Sequence, residues 1–354
     1  FFAKAYKYKS AISRSMQNEK GDEGVYKNLV KNVREALPIL FDYFEFKREK
    51  LGLKEFWNYD TYASINYKNK KRYTYDEAIE LIKKAVAPLG EEYVSLVQRA
   101  KDERWIDVYP NKNKRTGAFE SAIYGYHPFV LTNFDNGLEN VFTLAHELGH
   151  AMHSYYSDKT QDREKSQYTI FVAEVASTTN EMLLLNYLLG VAKTKNEKEE
   201  LYNKLFDSVK STIFRQTMFA EFEEKVHAIH EEGKALSKDK LCDIYYNLNK
   251  DYFGNKVKLL GEVKYEWARI PHFFTAFYVY KYAIGLICAL NFADRLTKGE
   301  KGAREKYINN FLCAGCSKKP VEILKEAGCD LEDEKTYLNT FKFLKDKLDE
   351  WKKL

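Results

Sequence analysis

Val141-Phe142-Thr143-Leu144-Ala145-His146-Glu147-Leu148-Gly149-His150 runs from an apolar segment into the pattern H-E-x-x-H. The apolar positions before the first histidine suit a buried helix. At about 100° per residue, positions four apart return to nearly the same face. His146 and His150 can therefore point at one ion, with Glu147 beside that face. Neutral imidazole nitrogen suits Zn²⁺, and two ligands on one rigid turn fix half of a tetrahedral site. With 7 His and 52 acidic residues in 354, random placement supplies at most about 0.02 such matches per chain. That rarity outweighs the alternative of two core histidines satisfied by backbone carbonyls.

The third ligand sets the class. A metzincin would carry Gly and His three and six residues after the second histidine, and here His153 and Tyr156 stand there. The pattern that remains asks for a downstream Glu on a second helix. Glu164 lies in a polar stretch and reads as solvated. Glu174 lies in Phe171-Val172-Ala173-Glu174-Val175-Ala176. An unpaired carboxylate is costly to bury there, so either a metal partner explains it or it sits at the helix edge. Glu181, two turns on, is placed to accept a hydrogen bond from a ligand imidazole. Two neutral histidines and one carboxylate leave the ion net positive, able to acidify a water towards a pKa of about 7. Glu147 would take that water's proton as general base and pass it to a leaving amine.

Outside the motif the chain reads as helical. Its 6 prolines and 17 glycines are few for 354 residues, which disfavours a turn-rich all-β architecture. Val25, Leu29, Val33, Leu37, Leu40 and Phe44 recur at three- and four-residue spacings over Gly24 to Lys50, with a kink or split expected at Pro38. Asp76 to Val86 and Glu91 to Lys101 follow the same rule. Two short runs of strand formers, Ala118 to Tyr124 and Phe129 to Phe134, predict a small β-ribbon just upstream of the motif. Asp162 to Gln167 is expected as a polar connection and Gly254 to Tyr265 as a loop. Helices are expected over Ile170 to Leu189, Lys198 to Glu231, Lys238 to Tyr252 and Phe273 to Leu296, and two more over Pro320 to Lys353. No linker is visible, and a single helical unit with a minor sheet is expected. On the helix predicted from Phe273, Tyr278 and Tyr282 would share a face, with Tyr280 turned away and His272 just ahead. Those three side chains are the best source of hydrogen-bond donors for an oxyanion, although composition alone favours a plain aromatic core helix.

At these residues the chain resembles a family. Phe142 to Ser154 resembles the zinc helix of oligoendopeptidase F, the bacterial branch of the thimet oligopeptidase-like metallopeptidases. Tyr168 to Thr178 is similar to that family's third-ligand helix, Arg269 to Gly285 to its C-terminal aromatic motif, and Gly117-Ala118-Phe119 with Tyr124 to Asn133 to its substrate-lining strand region. The resemblance implies a mainly α fold, the zincin-like catalytic region of an oligopeptidase, with a small sheet next to the zinc helix. It implies one Zn²⁺ per chain, held by His146, His150 and Glu174, with Glu147 as base and His272, Tyr278 and then Tyr282 as transition-state donors. It also implies endopeptidase activity on short unstructured peptides and a cytoplasmic location. Family members are typically longer. Residues 1–354 are therefore expected to form the single C-terminal catalytic region, with the family's N-terminal helical region absent upstream of Phe1. That absence motivates one alternative, an inactive chain that binds peptides without cleaving them. A second alternative is a helical scaffold with a purely structural zinc.

Composition excludes other classes. With 57 basic and 52 acidic residues the net charge is +5, interspersed in sign, so no basic stripe for nucleic acid is present. The cluster Lys68, Lys70, Lys71 and Arg72 reads as a solvated face. No apolar run approaches the roughly 18 residues of a membrane span. Five cysteines, an odd number, fit reduced thiols better than a disulfide framework. Cys313-Ala314-Gly315-Cys316 has the spacing of a metal knuckle but lacks two further ligands, so plain loop cysteines are expected. The sequence leaves oligomeric state open.

Overall fold

The spacing of Val25, Leu29 and Val33 yields helix Glu23–Glu35, capped by Asp22, whose carboxylate accepts from the Gly24 and Val25 amides. Pro38 marks a fresh start rather than a kink. Ala36 ends that helix and Leu37–Lys50 begins another, with the proline in its first turn, where a missing N–H breaks no helical bond. The computed structural model describes residues 1–18, 21–65 and 71–354, so Lys68 and Lys70 of the basic cluster lie outside the described residues. The fold is mostly helical with one small sheet.

The chain divides into two compact units, each assembled from separated pieces. Phe1–Tyr67, Tyr202–Ile284 and Leu331–Leu354 form the first, and Lys68–Leu201 with Gly285–Asp330 the second. No linker marks them in the sequence because two of the boundaries fall inside helices Lys195–Ser208 and Tyr280–Thr297.

In the first unit an aromatic cluster accounts for part of the aromatic excess. The Tyr43, Phe206 and Trp351 rings pack with centroids 5.3–6.2 Å apart, and Phe46 meets Trp351 edge-on at 4.9 Å. One buried carboxylate joins three helices. Arg34 donates to both oxygens of Glu221 at 2.6 and 2.8 Å, and the Tyr252 hydroxyl donates to the same group at 2.7 Å. This ties Glu23–Glu35 to Arg215–Glu231 and Lys238–Phe253. Lys47, fully buried, is satisfied by Asp207 and the Thr61 carbonyl, each at 3.0 Å.

In the second unit the sheet contains β1 (Ile106–Asp107), β2 (Phe119–Ser121) and β3 (Phe129–Leu131). The expected ribbon is the antiparallel pair β2–β3, and β1 joins β3 in parallel, giving the order β1-β3-β2. At two residues β1 is too short to show alternation, and sequence reasoning missed it. The β2 and β3 strands pack on helix Leu138–Thr160, which carries the motif. Helices Tyr75–Ala85 and Glu91–Asp102 form where periodicity places them, the first with a capping box between Thr74 and Glu77.

Three expected elements are corrected. Lys198 to Glu231 is helix Lys195–Ser208, a wider π-helical turn Val209–Phe214, and helix Arg215–Glu231. The expected loop ahead of Tyr265 contains the start of a 3₁₀ segment, Gly261–Arg269. The helix expected from Phe273 begins only at Tyr280 and runs to Thr297. Pro271–Phe274 is a separate 3₁₀ turn, and Phe277 takes φ +57°, a left-handed conformation rare for a bulky residue. Its N–H, instead of reaching back one turn, donates to Glu223 Oε1 at 2.9 Å.

Trp351 is fully buried among Tyr43, Phe46, Tyr202 and Phe206. Trp351→Ala should destabilise the protein by about 3–5 kcal/mol in urea unfolding, and a loss under about 1 kcal/mol would contradict this account of the core.

Candidate active site

His146, Glu147, His150, Glu174 and Glu181 all belong to the second unit. Helix Leu138–Thr160 presents His146 and His150 one turn apart, and helix Ile170–Val191 presents Glu174 opposite them. The two helices can meet because position 149 is glycine. A Cβ there would lie 2.5 Å from the Ser177 Cα and 2.9 Å from the Ala176 carbonyl oxygen, both backbone atoms that cannot step aside. Asn180 fastens the same contact, donating to the Ala145 carbonyl at 3.1 Å while accepting from the buried Tyr93 hydroxyl at 2.9 Å.

Across this contact three ligand atoms converge. His146 Nε2 and His150 Nε2 are 3.2 Å apart, and Glu174 Oε2 lies 3.4 and 3.7 Å from them. One ligand atom from each residue lies within 4.8 Å of the others, and these three form the group among the described residues that could hold a metal ion. Glu181 Oε1 sits 2.6 Å from His146 Nδ1. It accepts the proton on that nitrogen, which leaves the Nε2 lone pair facing the cluster. Two imidazole nitrogens and a carboxylate oxygen aimed at one another repel unless protons or a cation lie between them. The donor set is the one that suits zinc.

The electrostatics follow from burial. Burial alone would lower the His146 pKa, but Glu174 and Glu181 overcome it and push the imidazole up to about 10. His150 is lowered to about 4 by burial and by the charge on His146. Glu174 is held below the usual carboxylate range, chiefly by its hydrogen bond with His146. Glu147, 6% exposed, is pushed up to about 7 by burial. A carboxyl poised near neutrality can both take and release a proton.

The other candidates fall elsewhere. Glu164 is exposed. His153 is buried, stacked on Tyr168 with centroids 3.6 Å apart, and outside the ligand cluster. Cys313 and Cys316 carry free thiols and join no metal-holding group among the described residues. Their loop is fastened through its backbone, Thr160 and Gln161 donating to the Cys313 carbonyl and the Cys316 N–H to the Lys165 carbonyl.

In the first unit His272, Tyr278 and Tyr282 gather. The His272 and Tyr278 rings are 6.2 Å apart and nearly parallel, Tyr282 stands edge-on to both, and the two phenol oxygens are 3.3 Å apart. Tyr280 turns into that unit's core, its ring on Tyr26 and its hydroxyl on the Met16 sulfur.

Residues 2–343 match the model of Peptidase family M3. The chain belongs to that family. Oligopeptidase PepF of Bacillus subtilis is 43% identical over 356 residues, an alignment covering 100% of this chain and 53% of that protein. Among solved structures, a putative peptidase from Chlamydophila abortus superposes with a TM-score of 0.95 at 40% identity, over 99% of this chain and 59% of its own. Oligoendopeptidase-F from Enterococcus faecium gives 0.78 at 33% identity, over 99% and 56%. The resemblance to oligoendopeptidase F read from the motifs is borne out. The chain spans a little over half the length of these relatives.

Sequence reasoning missed Gly149 and Asn180. The signal available was a glycine and an asparagine at inward positions of two otherwise apolar helices. Gly149→Ala should lower the melting temperature and bring bound zinc well below one per chain, measured by metal analysis after dialysis. Wild-type values for both would refute the close-approach argument. Glu181→Ala should weaken zinc binding by about 10–100-fold in a chelator competition, whereas unchanged affinity would remove its role in orienting His146.

Proposed function

We propose that this chain is a zinc metalloendopeptidase acting on short unstructured peptides. The observation that carries the reading is the convergence of His146, His150 and Glu174 beside a buried carboxyl, Glu147. The names of the relatives, oligopeptidase and oligoendopeptidase, support the substrate class. Residues 1–354 are proposed as one catalytic region.

His146, His150 and Glu174 would hold the zinc, which when bound would supply Lewis acidity and an acidified water. Glu181 holds the proton on His146 Nδ1 and so keeps Nε2 available as a ligand. Glu147 takes a proton from the attacking water and delivers it to the leaving nitrogen, a shuttle suited to a carboxyl near pKa 7. His272 and Tyr278, with Tyr282 beside them, are proposed as donors to the substrate carbonyl oxygen as charge develops on it. Support for that role is the similarity of Arg269 to Gly285 to the family's aromatic motif and the gathering of the three rings.

No helix among the described residues is long and apolar enough to cross a membrane. Five free cysteines support the proposed cytoplasmic location.

A peptide mixture digested with the protein and read by mass spectrometry tests the function. Chelator-sensitive internal cleavage is expected, and Glu147→Gln should keep zinc while losing most of kcat. Peptide binding without any cleavage by the zinc-loaded protein would favour the non-catalytic alternative instead.

A further inference from the structure

The helix predicted from Phe273 fails to form its first two turns, and the cause lies elsewhere in the chain. Glu223, on helix Arg215–Glu231, is only 4% exposed. Its Oε1 accepts the Phe277 N–H at 2.9 Å, a bond buried inside the first unit. Its Oε2 is buried without a hydrogen-bond partner among the described residues. Phe277 holds φ +57° and is itself buried, its ring edge-on to Tyr26 at 5.9 Å and to His227 at 4.7 Å. The neighbouring Ala276 carbonyl accepts from Ser15 Oγ at 3.1 Å. Both polar groups of the Ala276–Phe277 peptide bond are thus held, one residue before Tyr278.

A helix-compatible Phe277 would send its N–H back to the carbonyl of residue 273. Phe277 in the left-handed region turns the chain so that Tyr278 leaves the helical path while Tyr280 still enters the core. The consequence is the ring cluster of His272, Tyr278 and Tyr282, with the Tyr278 and Tyr282 oxygens 3.3 Å apart. A buried carboxyl with one oxygen committed to a single backbone N–H and the other unpartnered is costly. Its retention is explained if the turn it holds is needed.

We infer that Glu223 is a positioning residue for peptide hydrolysis. It latches the Phe277 amide and so fixes Tyr278 in the position from which its phenol is proposed to donate to the substrate carbonyl. Burial pushes the Glu223 carboxyl up to about 8, so the latch does not require an ionised group: one oxygen acceptor suffices. The inference rests on the donor role proposed above for Tyr278.

The test uses the zinc-loaded protein and five variants: Glu223→Leu, which removes the acceptor; Glu223→Asp, which withdraws it by one methylene; Glu223→Gln, which retains an acceptor oxygen; Tyr278→Phe; and the double variant Glu223→Leu with Tyr278→Phe. Two readouts are kcat and KM on a quenched fluorescent peptide and hydrogen–deuterium exchange over residues 272–282. Glu223→Leu and Glu223→Asp should lower kcat about ten- to a hundredfold with KM little changed, the scale of a misplaced donor. Both should speed exchange at 275–280 while helix Arg215–Glu231 stays protected and zinc content stays at one. Glu223→Gln should restore both readouts. If Glu223 acts through the phenol, Glu223→Leu should cost almost nothing further in a Tyr278→Phe background.

Should Glu223→Leu fail to fold, the Glu223→Asp and Glu223→Gln pair carries the test. Wild-type exchange and kcat in Glu223→Asp would overturn the latch. So would a Glu223→Gln variant as impaired as Glu223→Asp, or losses that multiply with Tyr278→Phe. If Tyr278→Phe alone leaves kcat unchanged, the donor role fails, and the exchange data still decide whether Glu223 holds the turn.

Discussion

The close contact at Gly149 is the constraint on which the candidate site depends. Ligands on one helix can supply two corners of a metal site, because residues four apart share a face. The third corner must come from another backbone, and Glu has only a short reach. The two helices therefore have to pass so near that the Ser177 Cα occupies the space of a Cβ at position 149. Such an approach leaves helix backbones in direct contact, and the polar groups along it need partners. Asn180 and Tyr93 provide them, bonding across and behind the contact. Backbone geometry, not side-chain length, brings Glu174 to within 4 Å of both imidazoles.

That geometry creates an electrostatic demand. Glu147 and Glu174 lie with two imidazoles on two packed helices, and burial opposes charge on each of these four. Without a cation, protons must take its place between the converging atoms. His146 is pushed up to about 10 while His150 stays neutral well below physiological pH. A divalent ion would meet the same demand with two neutral imidazoles and a carboxylate. The fit of donor set to zinc thus rests on charge balance as well as on distance.

The sequence carried the site's chemistry in local, legible form. His146, Glu147 and His150 declare themselves by spacing, and Glu174 by being an acid inside an apolar segment. Helix Glu23–Glu35 and the β2–β3 pair were readable because their patterns lie within a dozen residues. What was not readable depends on partners far along the chain. Phe273 to Leu296 has a helical pattern throughout, yet the helix waits until Tyr280, after a left-handed Phe277 whose N–H bonds Glu223, 54 residues earlier in the chain. The two units escaped notice for a related reason. Each is built from distant segments, and no change of composition marks a boundary that falls inside a helix. The short β1 strand is defined by its pairing with β3, not by any pattern of its own.

The central claim is that His146, His150 and Glu174 form one zinc site. Anomalous diffraction from crystals of the zinc-loaded protein, recorded on either side of the zinc absorption edge, tests it most directly. The account predicts a single strong zinc peak bounded by His146 Nε2, His150 Nε2 and the Glu174 carboxylate, with none beside Cys313 and Cys316. A zinc-containing crystal with no peak among those three residues, or with its peak at the cysteine loop, would contradict it.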